Sequence, residues 1–266
     1  MKIVRYRVKE DHLYIYSNHD ADSRMGWYKD AWIIDIGFAQ QWLDHYRRWS
    51  ISSLFSLKSI DDLMESQDSI SILTALYQAI LKEDWSRLFI HGEPVSLPEQ
   101  EVQLLSPLMD PRKLKGVVHN SFYYPLSIIS PGSTVQNAKK ALPGIAFMLG
   151  IQKESYSLIG CCLINCWLTE DGWISSLGPY LFITDQWRVL ADQWLIVRRN
   201  DEVIYRKKID LWQYFQVKKQ TWSSSLSFRE MVGTVFDSLV VAVEPRDRVE
   251  IEMEDLGRLQ NGVDKT

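Results

Sequence analysis

The fold of this chain is decided by the region around one segment, Pro125-Leu126-Ser127-Ile128-Ile129-Ser130-Pro131-Gly132. The other informative sequence patterns lie on both sides of it. Leu126 to Ile129 is predicted as a short β-strand. Around it the sequence is almost all strand, with apolar residues in short runs. The further strands predicted here are Lys115 to Val118, Ile145 to Leu149, Tyr180 to Thr184 and Trp194 to Val197.

Three other segments complete this strand-rich region. Trp194 to Val197 is predicted to pair with Glu202 to Tyr205 across the hairpin turn Arg199-Asn200-Asp201. Val241 to Met253 is another alternating run. The pattern of Glu154 to Thr169 fits either a helix leading into a strand or one long buried strand.

The leading part of the chain has a mixed pattern. Predicted strands are Val4 to Val8, Leu13 to Tyr16 and Trp32 to Ile36, and predicted helices begin near Gly37, Ser59 and Ile70. The polar link from Ser96 to Glu101 separates this region from the strands that follow. We therefore predict a small N-terminal α+β domain over residues 1–101 and a second domain over 102–266.

Several motifs in order resemble the fumarylacetoacetate hydrolase family. Pro125 to Gly132 resembles its K-P-x-S-x-I-x-P-G segment, and Ile145 to Gly150 is similar to L-A-V-V-I-G. Ser175 to Leu181 resembles P-L-G-P-W-L. Glu244 to Glu252 and Leu256 to Asn261 match P-G-D-x-V-E-V-E and G-x-L-x-N. Each motif is weak alone, but their shared order over roughly 160 residues favours the resemblance.

The resemblance implies an α+β, mostly β fold, a fumarylacetoacetate hydrolase-like mixed β-sandwich roll with a small N-terminal α+β domain. It also implies a homodimer. Members of the family bind a divalent metal through two glutamates and an aspartate. On this alignment those positions carry Leu142, Gly144 and Cys166. None of them supplies the hard oxygen that Mg²⁺ or Mn²⁺ prefers, so we expect no metal and no other cofactor.

Other catalytic groups of the family are also replaced. Tyr124 stands where the family has a lysine, and the loop with its mobile His and Glu is deleted after Asn120. Gly233 and Thr234 retain the Gly-Thr of the family's T-G-T-P loop. The family's metal-dependent hydrolase chemistry is therefore not expected.

The cavity that holds the metal ion in the family corresponds to the candidate site of this chain. By alignment, the catalytic candidates are His119, Asn120 and Tyr124, and the substrate-binding candidates are Tyr123, Cys166, Trp167 and Thr234. The imidazole of His119 titrates near neutral pH, which suits acid–base catalysis. A structural or exposed histidine is the alternative. A buried, inert thiol is favoured for Cys166, and a collapsed cavity filled by the aromatic residues is equally compatible with the sequence.

Composition limits the partners and the location. The chain has 266 residues with a formal net charge of −4, which argues against a broad nucleic-acid or anionic-membrane surface. No apolar run reaches the roughly 18 residues of a membrane span. Cys161, Cys162 and Cys166 have no distant partner, as expected of reduced thiols. We expect a cytoplasmic protein that binds a small molecule.

Two functions remain open at this point. The first is a metal-independent enzyme acting on a small carbonyl or enol metabolite, by isomerisation, cyclisation, decarboxylation or C–C cleavage through proton transfer in an aromatic-lined pocket. The second is a catalytically inactive relative that serves as a binding or scaffolding subunit. The aromatic replacements favour the first.

Overall fold

The computed structural model describes residues 1–12, 23–49, 60, 63, 69–118, 121–152, 155–184, 190–222, 230–236 and 239–264. They form two compact units, Met1–Leu105 and Ser106–Thr266. The first unit extends past Glu101 because Val102–Leu105 pairs in antiparallel register with Lys2–Val8. The predicted strand at Leu13 to Tyr16 and most of the helix predicted after Ser59 lie outside the described residues.

The first unit is an antiparallel sheet with two helices. The strands of this unit are β1 (Lys2–Val8), β2 (Arg24–Lys29), β3 (Trp32–Asp35), β4 (Phe89–Ile90), β5 (Glu93–Pro94), β6 (Ser96–Pro98) and β7 (Val102–Leu105). Of these, β4 and β5 form a separate two-stranded sheet. The helices described here are α1 (Ile36–Arg47) and α2 (Ser69–Ile80). The predicted strands beginning at Val4 and Trp32 and the helices near Gly37 and Ile70 all correspond to these elements.

Asp35 joins the sheet to α1. Its carboxylate accepts the N-capping hydrogen bond from the backbone N–H of Phe38 at 2.7 Å, as acidic N-caps commonly do. The Tyr6 hydroxyl donates to the same carboxylate at 2.5 Å, and Arg24 donates to both its oxygens at 2.6 and 2.9 Å. Every oxygen of this buried group therefore has a donor, which offsets its desolvation.

The second unit contains the strand-rich region. Its first sheet consists of β8 (Leu114–Val118), β9 (Ser121–Tyr123), β10 (Ser127–Ile129), β12 (Lys140–Gln152), β13 (Ser155–Leu168), β14 (Trp173–Leu177), β15 (Tyr180–Ile183), β18 (Met231–Val235) and β19 (Val241–Ala242). The second sheet consists of β11 (Thr134–Gln136), β16 (Gln193–Arg199), β17 (Glu202–Ile209), β20 (Arg248–Met253) and β21 (Gly257–Asp264). Helix α3 (Leu211–Trp222) precedes β18.

The order of strands in the first sheet is β15-β13-β12-β18-β8-β9, and β14 pairs with β13. The second sheet has the order β11-β21-β20-β16-β17. One face of the first sheet packs with α3 and the second sheet around a common core, in which Phe147, Trp167, Phe215, Trp222 and Ile251 are fully or almost fully buried. This arrangement is the mixed β-sandwich roll expected from the sequence.

Three details refine the sequence-based interpretation. The ambiguous segment after Glu154 is one long strand, β13, paired along its length with β12. The predicted hairpin joins β16 to β17, and Asn200 and Asp201 both have positive φ, as a two-residue type I′ turn requires. Helix α3 was not predicted. None of the helices among the described residues is both long and apolar enough to cross a membrane.

Candidate functional site

The predicted site residues occupy opposite faces of the first sheet. In the register of β12, β13 and β14, Cys166 lies beside Leu142 and Ser175, whereas Trp167 lies beside Ala141 and Ile174. Because side chains alternate along a strand, these two sets face opposite ways. Trp167 belongs to the core between the sheets. Cys166 faces the other side.

A polar cluster forms on the Cys166 face. Tyr123, Cys166 and Ser175 come from β9, β13 and β14, and the Tyr123 and Ser175 hydroxyls lie close enough to the thiol to change its pKa. Neither hydroxyl meets the geometry of a hydrogen bond to any residue that the structure describes, although both oxygen atoms are buried. A buried hydroxyl without a partner costs about 1–3 kcal/mol, so this cluster is energetically unfavourable by itself.

An aromatic pair lies above this cluster. The ring of Tyr123 stacks on that of Trp173, with centroids 4.9 Å apart and planes inclined by 28°. Both residues are partly exposed, whereas Cys166 is 0% exposed and Leu142 is 3% exposed. The Cys166 thiol is therefore closed off from solvent in this conformation, and the stacked pair borders the cluster through Tyr123.

The groups of the cluster are neutral near pH 7. Burial raises the pKa of the Cys166 thiol to about 11, even though Tyr123 and Ser175 act in the opposite direction. Burial also raises the pKa of Tyr123 well above its usual value, and Cys166 adds to this effect. Both groups keep their protons, so they can donate hydrogen bonds but serve poorly as bases or nucleophiles.

Tyr124 belongs to a second cluster. Its half-exposed side chain donates a hydrogen bond from the hydroxyl to Glu230 Oε1 at 3.3 Å. Burial raises the pKa of Tyr124, and the charge of Glu230 raises it further. The Lys115 ammonium lies 4.7 Å from the ring centroid of Phe122 and 5.8 Å from that of Tyr124. Lys115 and Glu230 are both almost completely buried.

The remaining candidates, Trp167 and Thr234, have partners in the core. The indole N–H of Trp167 lies 3.5 Å from Ser176 Oγ, a long hydrogen bond. Ser176 in turn donates to Asn261 Oδ1 at 2.6 Å. The Thr234 hydroxyl lies 3.4 Å from that of Tyr214, on α3. Neither Trp167 nor Thr234 is near the Cys166 face by strand register.

The positions aligned with the family's metal ligands do not suit a hard divalent ion. Leu142 and Gly144 supply no ligand atom, and Cys166 offers a protonated thiol. A Cβ on Gly144 would come within 2.1 Å of the carbonyl oxygen of Thr234, so a glutamate could not be accommodated there without movement of β18. Across the described ranges, no three His, Cys, Asp or Glu side chains are grouped to hold a metal.

His119 and Asn120 lie outside the described residues, so their roles stay predictions from the sequence. Sequence reasoning missed Ser175, Lys115 and Glu230. Ser175 lies within the motif Ser175 to Leu181, which indicated a family resemblance but no role for the serine. Lys115 could have been identified from the sequence, because it is a charged residue inside the otherwise apolar strand Leu114–Val118. Charged residues are rarely buried without a functional or structural partner.

These observations define the class of fold: the chain has a fumarylacetoacetate hydrolase-like fold. It superposes over its full length on solved structures that include a fumarylacetoacetate hydrolase and a maleylpyruvate hydrolase. No family model matches the sequence, and no curated protein matches it.

Among the similar structures is maleylpyruvate hydrolase from Sphingobium sp. SYK-6 in complex with manganese(II) ion and pyruvate, with 13% identity and a TM-score of 0.65, covering 100% of this chain and 99% of that one. Fumarylacetoacetate hydrolase from psychrophilic Exiguobacterium antarcticum has 14% identity and a TM-score of 0.61. The 5-carboxymethyl-2-hydroxymuconate delta-isomerase from Mycobacterium smegmatis has 14% identity and a TM-score of 0.58. Both of these matches cover 100% of each chain.

Proposed function

We propose that this chain is an enzyme that acts without a metal ion on a small metabolite bearing a carbonyl or enol group. The observation that carries the proposal is the pair of buried Tyr123 and Ser175 hydroxyls, which lack hydrogen-bond partners among the described residues and converge on Cys166. Cys166 occupies a position that the family resemblance assigns to a metal ligand. The Tyr123 and Ser175 hydroxyls, both hydrogen-bond donors, therefore lie beside a residue that replaces a metal ligand of the family.

Two preorganised hydroxyl donors can take over one task of a metal, the stabilisation of negative charge on an oxygen atom. When a proton leaves the carbon next to a carbonyl, charge develops on the carbonyl oxygen. A donor already aimed at that oxygen typically contributes about 3–4 kcal/mol to the stability of the transition state. Tyr123 and Ser175 would supply this contribution in isomerisation, cyclisation, decarboxylation or C–C cleavage.

Proton transfer itself requires another group, because the Cys166 thiol and the Tyr123 phenol remain protonated. Tyr124 and its carboxylate partner Glu230 are one candidate pair. His119, with Asn120 beside it in sequence, is the sequence-based candidate. Because Cys166 is fully buried, entry of a substrate requires neighbouring side chains to move, and the Trp173 ring, which stacks on Tyr123, is one candidate.

Deuterium exchange tests the proposal without knowledge of the natural substrate. Pyruvate and oxaloacetate are incubated with the protein in D₂O containing EDTA, and loss of the protons next to the carbonyl is followed by NMR. We expect exchange faster than in buffer, and a decrease of about tenfold or more in Tyr123→Phe and in Ser175→Ala. Tyr205→Phe, on β17, is the matched control.

Either of two results contradicts this proposal. One is exchange of both compounds at the rate of buffer. The other is exchange that EDTA abolishes and Mn²⁺ restores. Metal analysis of the purified protein adds an independent measurement, since stoichiometric Mg²⁺, Mn²⁺ or Zn²⁺ is incompatible with the donor set at Leu142, Gly144 and Cys166.

A second candidate function is a catalytically inactive binding or scaffolding subunit. The complete burial of Cys166 and the near-complete burial of Leu142 favour it, because a closed cavity gives a substrate no access. The homodimer implied by the resemblance is compatible with both candidate functions. Light scattering measures the oligomeric state. Exchange at the buffer rate together with a stable dimer would favour the inactive subunit.

A further inference from the structure

The edge strand β17 carries a cluster of positive charge. Arg206, Lys207 and Lys208 are all exposed, and Glu202 is the acidic residue of the strand. No ion pair formed between described residues includes any of the three cations. The whole chain has a net charge of −4, so this strand is opposite in sign to the molecule that carries it.

Apolar side chains accompany these cations. Val203 and Ile204 are exposed on β17, and Trp194 is exposed on the neighbouring strand β16. The Arg206 guanidinium carbon lies 4.5 Å from the centroid of the Trp194 ring, and Lys208 Nζ lies 5.6 Å from it. These cation–π contacts hold both cations along the strand, next to an exposed aromatic surface.

Protection of a sheet edge explains only part of this composition. Lysines on an edge strand discourage pairing with other chains. Exposed valine, isoleucine and tryptophan have the opposite effect, since they favour association. The described strands of this sheet end at β17, which pairs with β16 on one side. No described strand pairs with its other side, so within the described part of the chain this side is an edge where backbone groups lie next to charge and apolar area.

We propose that β17 is a docking site for an extended acidic segment of a partner protein, which adds to the sheet as a further strand. Backbone hydrogen bonds along the edge would provide affinity, and acidic side chains facing Arg206 and Lys208, which share one face of the sheet, would provide specificity. A second copy of this chain fits less well, because it presents the same three cations. Nucleic acids and lipid headgroups carry charge but no backbone amides for the edge.

A labelled eight-residue peptide of alternating glutamate and valine tests the proposal by fluorescence anisotropy against the full chain. We expect binding that weakens as salt is added, because exposed charges are screened. The double variant Arg206→Glu with Lys208→Glu is expected to bind the peptide at least about tenfold more weakly than the wild type. The control is Lys82→Glu, an exposed cation of the first unit. Far-UV circular dichroism verifies that each variant folds.

Two further peptides separate the sources of binding. A lysine–valine peptide tests charge, and the glutamate–valine peptide with alternate backbone nitrogens methylated tests strand addition. Weaker binding of both supports the proposal. Equal binding of either peptide overturns it, as does the absence of binding by the original peptide. A dimer that the charge-reversed double variant dissociates also overturns it, because a second copy then occupies the edge.

Discussion

The ring of Tyr123 lies directly over Gly116, so that a Cβ atom on residue 116 would stand 2.0 Å from Cζ of the tyrosine. Gly116 and Tyr123 are paired in the register of β8 and β9. The absence of a side chain at 116 therefore allows the tyrosine to lie flat across the sheet, with its hydroxyl buried beside Cys166 and Ser175.

Gly116→Ala is expected to destabilise the protein by about 1–3 kcal/mol, because the added methyl group must displace the ring or the strand. Urea denaturation measures the change. Gly262→Ala is the control, since a Cβ there lies 3.3 Å from its nearest neighbour, Cγ2 of the exposed Thr134, which has room to move. Equal stability of Gly116→Ala and the wild type would show that the ring is placed elsewhere.

Ser175→Ala is expected to leave the stability of the protein unchanged or to increase it by about 1 kcal/mol, because the hydroxyl is buried and has no hydrogen-bond partner among the described residues. The neighbouring Ser176→Ala is the matched comparison. It removes the 2.6 Å hydrogen bond to Asn261 and should cost about 1–3 kcal/mol. Thermal unfolding distinguishes the two variants. A marked loss of stability in Ser175→Ala would mean that its hydroxyl has a structural partner.

The three cysteines are expected to resist alkylation in the folded protein. All are buried, and burial raises the pKa of each, to about 11 for Cys166. At pH 8 only about one Cys166 thiol in a thousand is then a thiolate, and this fraction rises about tenfold with each pH unit until the pKa is reached. Mass spectrometry after iodoacetamide should find no adduct, and three after unfolding in guanidinium. Rapid labelling of Cys166 alone would indicate an open site.

Asp35→Asn is expected to destabilise the first unit by about 3 kcal/mol, since it leaves the buried side of Arg24 without its counter-charge. Burial alone would raise the pKa of Asp35, but hydrogen bonds and charge from Arg24, with Tyr6 and Phe38, lower it overall. The stabilisation is present above the pKa of the unfolded chain and is lost as pH falls through the folded pKa.

Unfolding curves at neutral and acidic pH measure this contribution. The difference between wild type and Asp35→Asn should shrink as the carboxyl group is protonated. Glu83→Gln, which disrupts the exposed pair with Arg47, should change stability far less because solvent screens that pair. A pH-independent difference would indicate that packing, and not charge, dominates at residue 35.

The sequence predicted the elements whose patterns are local. The β16–β17 hairpin has its turn at Asn200 and Asp201, and α1 begins at Ile36, next to the start predicted near Gly37. Helix α3 was missed because Leu211–Trp222 is rich in aromatic residues, which give no clear helical stripe. Its burial comes from tertiary contacts such as Phe215 with Phe147, which a single sequence does not display.

The candidate site was predictable only in part. Alignment placed Tyr123 and Cys166 together, and the structure brings them together with Ser175. The alignment also grouped Trp167 and Thr234 with Tyr123 and Cys166, although the strand register places both on the other face of the sheet. Adjacent numbers such as 166 and 167 are near in sequence but lie on opposite sides of a sheet, and alignment to a motif does not encode that separation.

The alternation within β13 has a consequence for changing this protein by design. Residues 162, 164 and 166 lie on the same face of the sheet as the polar cluster, whereas 161, 163 and 167 fill the core between the sheets. Substitutions in the first set can therefore alter the chemistry of the cluster while the second set maintains the fold. Inserting one residue in β13 would exchange the two environments at every later position, so the strand tolerates new side chains far better than a new length.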